Sequence, residues 1–210
     1  MGGTAEKILS VAIRLFAERG YEGTSVRAIC EGAGANVNAV SYHYGGKRGL
    51  YEEVVSRSGD QRLRSAQRIL GRPPKDARDL ANRLLLFAEE VLATNMAEPE
   101  LLIILFAEFQ QGYPNCDGAS VKERLLGETK VLVDFLRAAR RRKLLRKGVD
   151  PELVAGALTE RIYSQVRYAE AIQSIYGESV KSPEYLRKWT QQTVDLLLYG
   201  AARTPPTPKE

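Results

Sequence analysis

The chain has 210 residues, of which 44% are hydrophobic and 27% charged, and this composition excludes a wholly disordered or fibrous protein. Its 31 Lys and Arg residues against 26 Asp and Glu residues give a formal charge of +5, which mildly favours an anionic partner. The single histidine, His43, excludes metal sites built from several histidines.

Cysteine usage and hydropathy indicate the compartment. Cys30 and Cys116 lie far apart with no CxxC pairing, which indicates neither a disulfide framework nor a zinc site. The longest apolar run, 101–107, is far shorter than the roughly 20 residues that span a bilayer. No signal segment opens the chain. We therefore expect a cytoplasmic protein with no membrane partner, no metal and no cofactor.

Helical spacing of apolar residues dominates the chain, and strand signals are almost absent. The first helix is predicted over 4–19, where Gly20 follows as a stop. Thr24 and Ser25 can each cap a short second helix. After the small residues of a tight connection, Asn36 is a good cap for a third helix. Two short helices joined so closely predict a helix-turn-helix.

The remaining chain predicts further helices. A fourth begins near Lys47 and ends at the Gly/Pro cluster 71–74, which marks a domain boundary. Five more helical stretches follow, roughly over 76–95, 99–111, 119–146, 151–176 and 183–201. The predicted fold class is all-α, with a three-helix domain that contains the helix-turn-helix over 1–50, a connecting helix over 51–71, a helical domain over 72–203 and a frayed tail over 204–210.

The third helix has the pattern of a recognition helix. With Val40 directed inward, Asn38, Ser41 and Tyr42 point away from the scaffold. A slim polar face of this kind can enter the major groove of DNA. The amide of Asn38 can match the donor and acceptor of adenine.

Neighbouring side chains suit other DNA contacts. Val37 and Ala39 could contact a thymine methyl group, while Tyr42, His43 and Lys47 suit phosphate oxygens. Arg27 and the helix start at Thr24 and Ser25 add phosphate donors. The predicted DNA-binding residues are Thr24, Ser25, Arg27, Asn36, Val37, Asn38, Ala39, Ser41, Tyr42, His43 and Lys47.

These segments together resemble a known family. ILSVAIRLFAERGY over 8–21, TSVRAI over 24–29, Ala33-Gly34 and YHYGGK over 42–47 resemble the N-terminal DNA-binding domain of TetR/AcrR-family transcriptional regulators. Ser41, Tyr44 and Gly46 depart from the usual pattern of that family, which more often has Tyr, Phe and a Ser or Asn cap there. The resemblance implies a ligand-responsive regulator, chiefly a repressor, which binds a near-palindromic operator on double-stranded DNA as a homodimer and is released by a small-molecule effector.

The resemblance also implies that the last two long helices pair with their symmetry mates. A dimer suits the DNA, because two recognition helices about 34 to 36 Å apart meet successive major-groove faces. The apolar positions expected at this interface are Val154, Leu158, Ile162, Val166, Ala169, Leu186, Trp189, Thr193 and Leu197. The family's C-terminal domain also binds the effector, and the candidate lining is Phe87, Val91, Phe106, Phe109, Phe135 and Tyr163.

Several alternatives stay open. A DNA-bound adaptor or architectural dimer would sense no small molecule, and a helical enzyme would have to use His43; we expect no catalytic residue. Cys30 is expected to be a small buried hydrophobe and Cys116 an exposed loop thiol. The basic run over 137–147 is either a second nucleic-acid patch or, as we expect, a solvated helix C-terminus.

Overall fold

The computed structural model describes residues 3–112, residue 115 and residues 119–201. Within these residues the chain forms ten α-helices and no β-strand, which confirms the all-α class. None of them combines the length and apolar character needed to cross a bilayer. The helices are α1 (Thr4–Arg19), α2 (Val26–Ala33), α3 (Asn38–Tyr44), α4 (Lys47–Leu70), α5 (Ala77–Ala97), α6 (Pro99–Gln111), α7 (Ala119–Arg141), α8 (Pro151–Arg167), α9 (Ala169–Tyr176) and α10 (Pro183–Ala201).

Two predicted helices differ from the observed ones. The stretch predicted over 151–176 is two helices, separated at Tyr168, where φ is −107° and ψ is 19°. No residue of α9 is buried. The apolar residues of α9 therefore make no core contacts that would hold this helix in line with α8. The helix predicted over 119–146 ends at Arg141, and Lys143 then adopts a positive φ of 60°. Cys116 and the tail 204–210 lie outside the described residues.

The chain divides into two compact units. The first comprises Met1–Gln61 and Glu98–Leu126, and the second comprises Arg62–Ala97 and Gly127–Glu210. Helix α6 therefore belongs to the same unit as α1 to α3. The functional domain limits given above do not coincide with these units and remain a prediction.

In the first unit, α1 packs against α2, α3 and α6. The most deeply buried side chains include Ile8, Ala12, Ile29, Val40 and Leu50. Burying a side chain of the size of Ile or Leu contributes about 1.5 to 3 kcal/mol. This packing fixes the rotation of the short helix α3, because Val40 is the one residue of α3 that is buried.

In the second unit, α5 packs against α8 and α10, which also pack against each other. Their apolar stripes meet those of α7 and the end of α4 in one core, whose members include Leu84, Leu92, Leu132, Leu136 and Leu158. The core of the second unit is thus formed by helices that surround α5.

Candidate functional site

Helix α3 presents a polar face to solvent and an apolar face to the scaffold. Val40 is fully buried, whereas Asn38, Ser41 and His43 are exposed and Tyr42 is 84% exposed. Side chains of this type on one face of a short helix can hydrogen-bond base edges and phosphates of a duplex. The structure therefore leaves the polar face of the predicted recognition helix accessible.

The start of α3 is fixed by a local hydrogen bond. The side-chain Oδ1 of Asn36 accepts a hydrogen bond from the backbone N–H of Asn38 at 2.9 Å. Val37, which makes no side-chain cap bond, occupies the N-cap of α3, so the predicted cap, Asn36, lies one residue before the cap position. Val37 is half exposed and Ala39 partly exposed, so both methyl-bearing side chains lie beside the polar face. Three consecutive residues at this helix start are thus within reach of a partner.

At the start of α2, only one of the two predicted caps acts as a cap. The Oγ of Ser25 accepts a hydrogen bond from the backbone N–H of Ala28 at 3.1 Å. Thr24 is 2% exposed, and its hydroxyl donates to the carbonyl oxygens of Leu15 at 3.0 Å and Gly20 at 2.8 Å. The expectation that Thr24 caps α2 and donates to a phosphate is therefore wrong, because its hydroxyl anchors the α1–α2 turn instead.

Two cations lie on the helices that precede and follow α3. Arg27 is exposed and pairs with Glu31 one turn later, with Nε 2.9 Å from Oε1. Lys47, the first residue of α4, holds its ammonium 4.2 Å from the ring centroid of Tyr21. Exposed ion pairs contribute about 0 to 1 kcal/mol, so Arg27 can exchange its carboxylate for a phosphate at little loss.

The turn between α3 and α4 depends on glycine. Gly45 has φ 71° and Gly46 has φ 115°, and both values lie where side chains with a Cβ are strained. Gly46 therefore departs from the usual cap because its backbone conformation favours glycine. Its carbonyl accepts the first hydrogen bond of α4, from the N–H of Leu50 at 3.0 Å.

Tyr44 joins the end of α3 to the start of α1. Its hydroxyl donates to the carbonyl oxygen of Ala5 at 2.7 Å. Burial raises the pKa of Tyr44, and the nearby Glu53 and Glu6 raise it further, so the hydroxyl remains a donor at neutral pH. The tyrosine thus adds a polar tie that phenylalanine at this position would lack.

Replacing Tyr44 by Phe should lower the free energy of unfolding by about 1 kcal/mol, because one part-buried hydrogen bond is lost while the ring stays. Urea denaturation of both proteins measures the difference. Tyr42→Phe is the matched control: its ring is exposed, so we expect a change within about 0.5 kcal/mol. Equal losses in the two variants would contradict a stabilising role for this hydrogen bond.

The two remaining single candidates are His43 and Cys30. His43 lies exposed, with its ring centroid 4.9 Å from that of Tyr42. Among the residues that the structure describes, no group of three or more His, Cys, Asp or Glu side chains could hold a metal ion. Cys30 is buried, as expected, and burial raises the pKa of its thiol.

The six predicted effector-lining residues separate into two sets. Phe87, Val91 and Phe135 are buried in the core of the second unit, and Tyr163 packs against that core. The other two, Phe106 and Phe109, lie on α6, which belongs to the first unit. The structure therefore does not bring all six together in one unit.

A buried polar network, which was not among the predicted sites, lies beside that core. Arg62 is 7% exposed, and its guanidinium donates to Oδ1 of Asn95 at 2.8 Å and to the hydroxyl of Tyr163 at 3.5 Å. Tyr163 in turn donates to the carboxyl group of Glu128. Asn95 is fully buried, and its Nδ2 donor has no hydrogen-bond partner.

Burial also shifts the titration of this network. Burial raises the pKa of Glu128, while the Arg62 charge and the hydrogen bond from Tyr163 lower it. Burial and the Glu128 charge raise the pKa of Tyr163. An unpaired buried donor costs about 1 to 3 kcal/mol, so the free Nδ2 of Asn95 is the type of group that a bound oxygen acceptor would satisfy.

The predicted dimer residues also occupy different environments. Leu158, Ile162 and Thr193 are buried within the second unit, so their assignment to an interface is wrong: the chain's own core covers them. The others, Val154, Val166, Ala169, Leu186, Trp189 and Leu197, are partly buried and remain a prediction. Among the described side chains of α8 and α10, the large apolar ones that are exposed are instead Leu153, which is 74% exposed, and Leu196.

Comparison with known proteins identifies the N-terminal part. The family described as "Bacterial regulatory proteins, tetR family" matches residues 8–54. The probable HTH-type transcriptional regulator YttP of Bacillus subtilis (strain 168) is 47% identical over 53 residues, which are 25% of this chain and 26% of that protein. The biofilm operon icaADBC HTH-type negative transcriptional regulator IcaR of Staphylococcus aureus (strain Newman) is 36% identical over 50 residues, 24% of this chain and 27% of that protein.

The chain thus spans about a quarter of the length of these relatives. The solved structure of the ketosteroid transcriptional regulator KstR2 of Mycobacterium tuberculosis covers 97% of both chains with a TM-score of 0.73 and 20% identity, which shows a shared fold. Residues 8–54 are therefore a DNA-binding domain of the tetR family of bacterial regulatory proteins.

Proposed function

We propose that this protein is a homodimeric transcriptional repressor that binds a near-palindromic operator and is released by a small-molecule effector. The observation that carries the proposal is the exposed polar face of α3, locked in rotation by the buried Val40. Asn38 on this face contacts bases, and Tyr42 and Lys47 contact phosphates on either side. Occupation of the operator then blocks transcription, in keeping with the similarity to IcaR, a negative transcriptional regulator of a biofilm operon.

Two copies are needed because one seven-residue helix contacts only a few base pairs. The outward faces of α8 and α10 offer an apolar surface for this contact through Leu153 and Leu196. Large apolar side chains exposed on neighbouring helices favour an interface with another protein. In a dimer of this kind the contact is self-complementary, and the operator acquires the same two-fold symmetry.

Support for an effector comes from the network around Asn95. A fully buried amide donor without a partner is complemented by a ligand oxygen, and Arg62 beside it adds a cationic donor. Such an effector lowers the affinity for the operator only to the extent that it binds the operator-free state of the protein more tightly than the operator-bound state. A coupling of about 1 to 3 kcal/mol changes the affinity roughly 5- to 150-fold.

Base recognition and phosphate contact should separate by mutation. Asn38→Ala should reduce the preference for the operator over random duplex by about 1 to 3 kcal/mol, because a base-edge contact is lost. Lys47→Ala should weaken binding to both duplexes about equally and lower the slope of log affinity against log salt concentration by about one. Fluorescence anisotropy titrations at several salt concentrations, on a site first selected from random duplexes, measure both quantities.

Lys130→Ala is the matched control, since it removes the same charge from an exposed position on α7. We expect it to leave operator preference unchanged and to alter the salt slope less than Lys47→Ala does. If Asn38→Ala and Lys47→Ala had the same effect on the two duplexes, the assigned roles would be wrong. A selected motif without two-fold symmetry would contradict the dimer.

The second candidate function is a DNA-bound adaptor dimer without an effector. The apolar core of the second unit favours it, because the cavity lined by Leu84, Leu136 and Leu158 has a volume of only about 10 Å³. That volume holds at most one water molecule. An effector response abolished by Asn95→Ala would decide against the adaptor, whereas operator binding insensitive to every small molecule tested would favour it.

A further inference from the structure

A second cavity lies in the first unit, beside α6 and the turn that follows α1. Its volume is about 230 Å³, which corresponds to roughly seven or eight water molecules. The lining is chiefly aromatic and aliphatic, with Phe16, Tyr21, Tyr51, Ile103, Ile104 and Ala107. None of these residues belongs to the polar network of Arg62 and Asn95, which lies in the second unit.

Arg19 and Glu22 also line this cavity and are exposed, whereas the carboxyl group of Glu108 is the buried one. Glu108 is 1% exposed, and its Oε1 accepts hydrogen bonds from the hydroxyl of Tyr51 at 2.7 Å and from the side-chain amide of Asn115 at 3.0 Å. Its Oε2 is buried and has no hydrogen-bond partner. Among the residues that the structure describes, no Lys, Arg or His forms an ion pair with Glu108. A buried carboxylate oxygen left unpaired is costly, so this atom has an unused capacity to accept.

The rings around Glu108 suit a positive charge. Phe16 and Tyr51 pack edge to face with centroids 4.9 Å apart, and Tyr21 and Tyr51 do so at the same distance. The ammonium of Lys47 already lies over the Tyr21 ring, 4.2 Å from its centroid. Ring faces and a carboxylate together are the environment that stabilises an organic ammonium group out of bulk water.

We propose that this cavity binds a small organic cation, a primary amine with an apolar body. The ammonium donates a hydrogen bond to Oε2 of Glu108, and the apolar body occupies the space between α1 and α6 beside Ile104 and Ala107. Glu108 suits a ligand with a cationic hydrogen-bond donor, whereas Asn95 suits a ligand with an oxygen acceptor. The two sites therefore differ in the ligand chemistry that they suit. The bound amine lies near the ring of Tyr21, and therefore near Lys47 at the phosphate-binding start of α4.

Titration calorimetry of the full chain with 2-phenylethylamine tests the site. Neutral 2-phenylethanol and anionic phenylacetate are comparison ligands of similar shape. We expect the amine to bind more tightly than either, and Glu108→Gln to weaken amine binding at least about tenfold, because a charge-assisted hydrogen bond becomes a neutral one. The amide of Glu108→Gln can still accept from Tyr51 and preserves the side-chain volume.

Ala107→Leu is the second variant, because it fills the cavity and leaves Glu108 in place; it should also abolish amine binding. Glu90→Gln, which removes a partly exposed carboxylate of α5, should leave amine binding unchanged. Equal affinity for the amine and the alcohol would overturn the proposal, as would amine binding that survives both Glu108→Gln and Ala107→Leu. Absence of amine binding at about 1 mM ligand would overturn it as well. None of these outcomes depends on whether the protein binds an operator.

Discussion

Replacing Gly49 by Ala is expected to destabilise the DNA-binding unit by about 3 kcal/mol or more and to abolish duplex binding. A Cβ atom on Gly49 would lie 1.8 Å from the carbonyl oxygen of Tyr44, a separation far inside van der Waals contact. The obstructing atom belongs to the backbone, so no side-chain rotation relieves the clash. The turn through Gly45 and Gly46 has to move, and α3 moves with it.

Urea denaturation and anisotropy with the selected duplex measure the two effects of Gly49→Ala. Gly156→Ala is the matched control, because Gly156 lies within α8 and a Cβ there would meet nothing within 4 Å. That change should stabilise the protein by about 0.5 to 1 kcal/mol, the usual gain of Ala over Gly inside a helix. Wild-type stability in Gly49→Ala would show that the close approach of α4 to Tyr44 is not present in solution.

The N-terminal helices could be predicted from the sequence because their signals are local. The cap at Ser25 and the inward Val40 act over a few residues, and the structure confirms both. Thr24 shows where local signals fail. A threonine before a helix is a good cap by itself, but the carbonyls of Leu15 and Gly20 lie within its reach only after α1 has folded against it.

Polar residues on the apolar stripes of α5 and α7 are a sequence signal for the polar network of the second unit. Asn95 follows Leu84, Ala88 and Val91 on the apolar stripe of α5, and Glu128 precedes Leu132 on that of α7. A polar residue at a core position predicts a buried hydrogen bond. Its partner could not be predicted, because spacing along one helix does not show which other helix covers that stripe.

The dimer face shows the same limit. Helical spacing groups Leu158 and Ile162 on one apolar face of α8, but it does not distinguish a face that meets the chain's own core from one that meets a second copy. The structure assigns these two residues to the core and leaves Leu153 outside. A single outward leucine has no periodic pattern, so sequence analysis alone does not find it.

Replacing Arg62 by Met should lower the free energy of unfolding by about 3 kcal/mol at neutral pH. The variant removes the positive charge that lowers the pKa of Glu128. It also removes the guanidinium that donates a hydrogen bond to Oδ1 of Asn95. Because Nδ2 of Asn95 already has no partner, its whole side-chain amide would be unpaired. Arg68→Met, on the same helix, removes only an exposed pair with Glu90, so a loss within about 1 kcal/mol is expected.

The pH dependence separates the two parts of the Arg62→Met effect. Burial already raises the pKa of Glu128 above its ordinary value. Between the ordinary pKa and the raised pKa, the folded protein therefore binds more protons than the unfolded chain. The contribution of this group to stability falls as the pH rises through that interval. Without Arg62 the pKa rises further, and the interval widens towards neutral pH. Below about pH 4, near the ordinary pKa of glutamate, the carboxyl group is protonated in both states and its part of the loss disappears. Denaturation at pH 7 and near pH 4 should therefore show a smaller difference between wild type and Arg62→Met in acid, and a difference that grows on acidification would contradict the electrostatic role of Arg62.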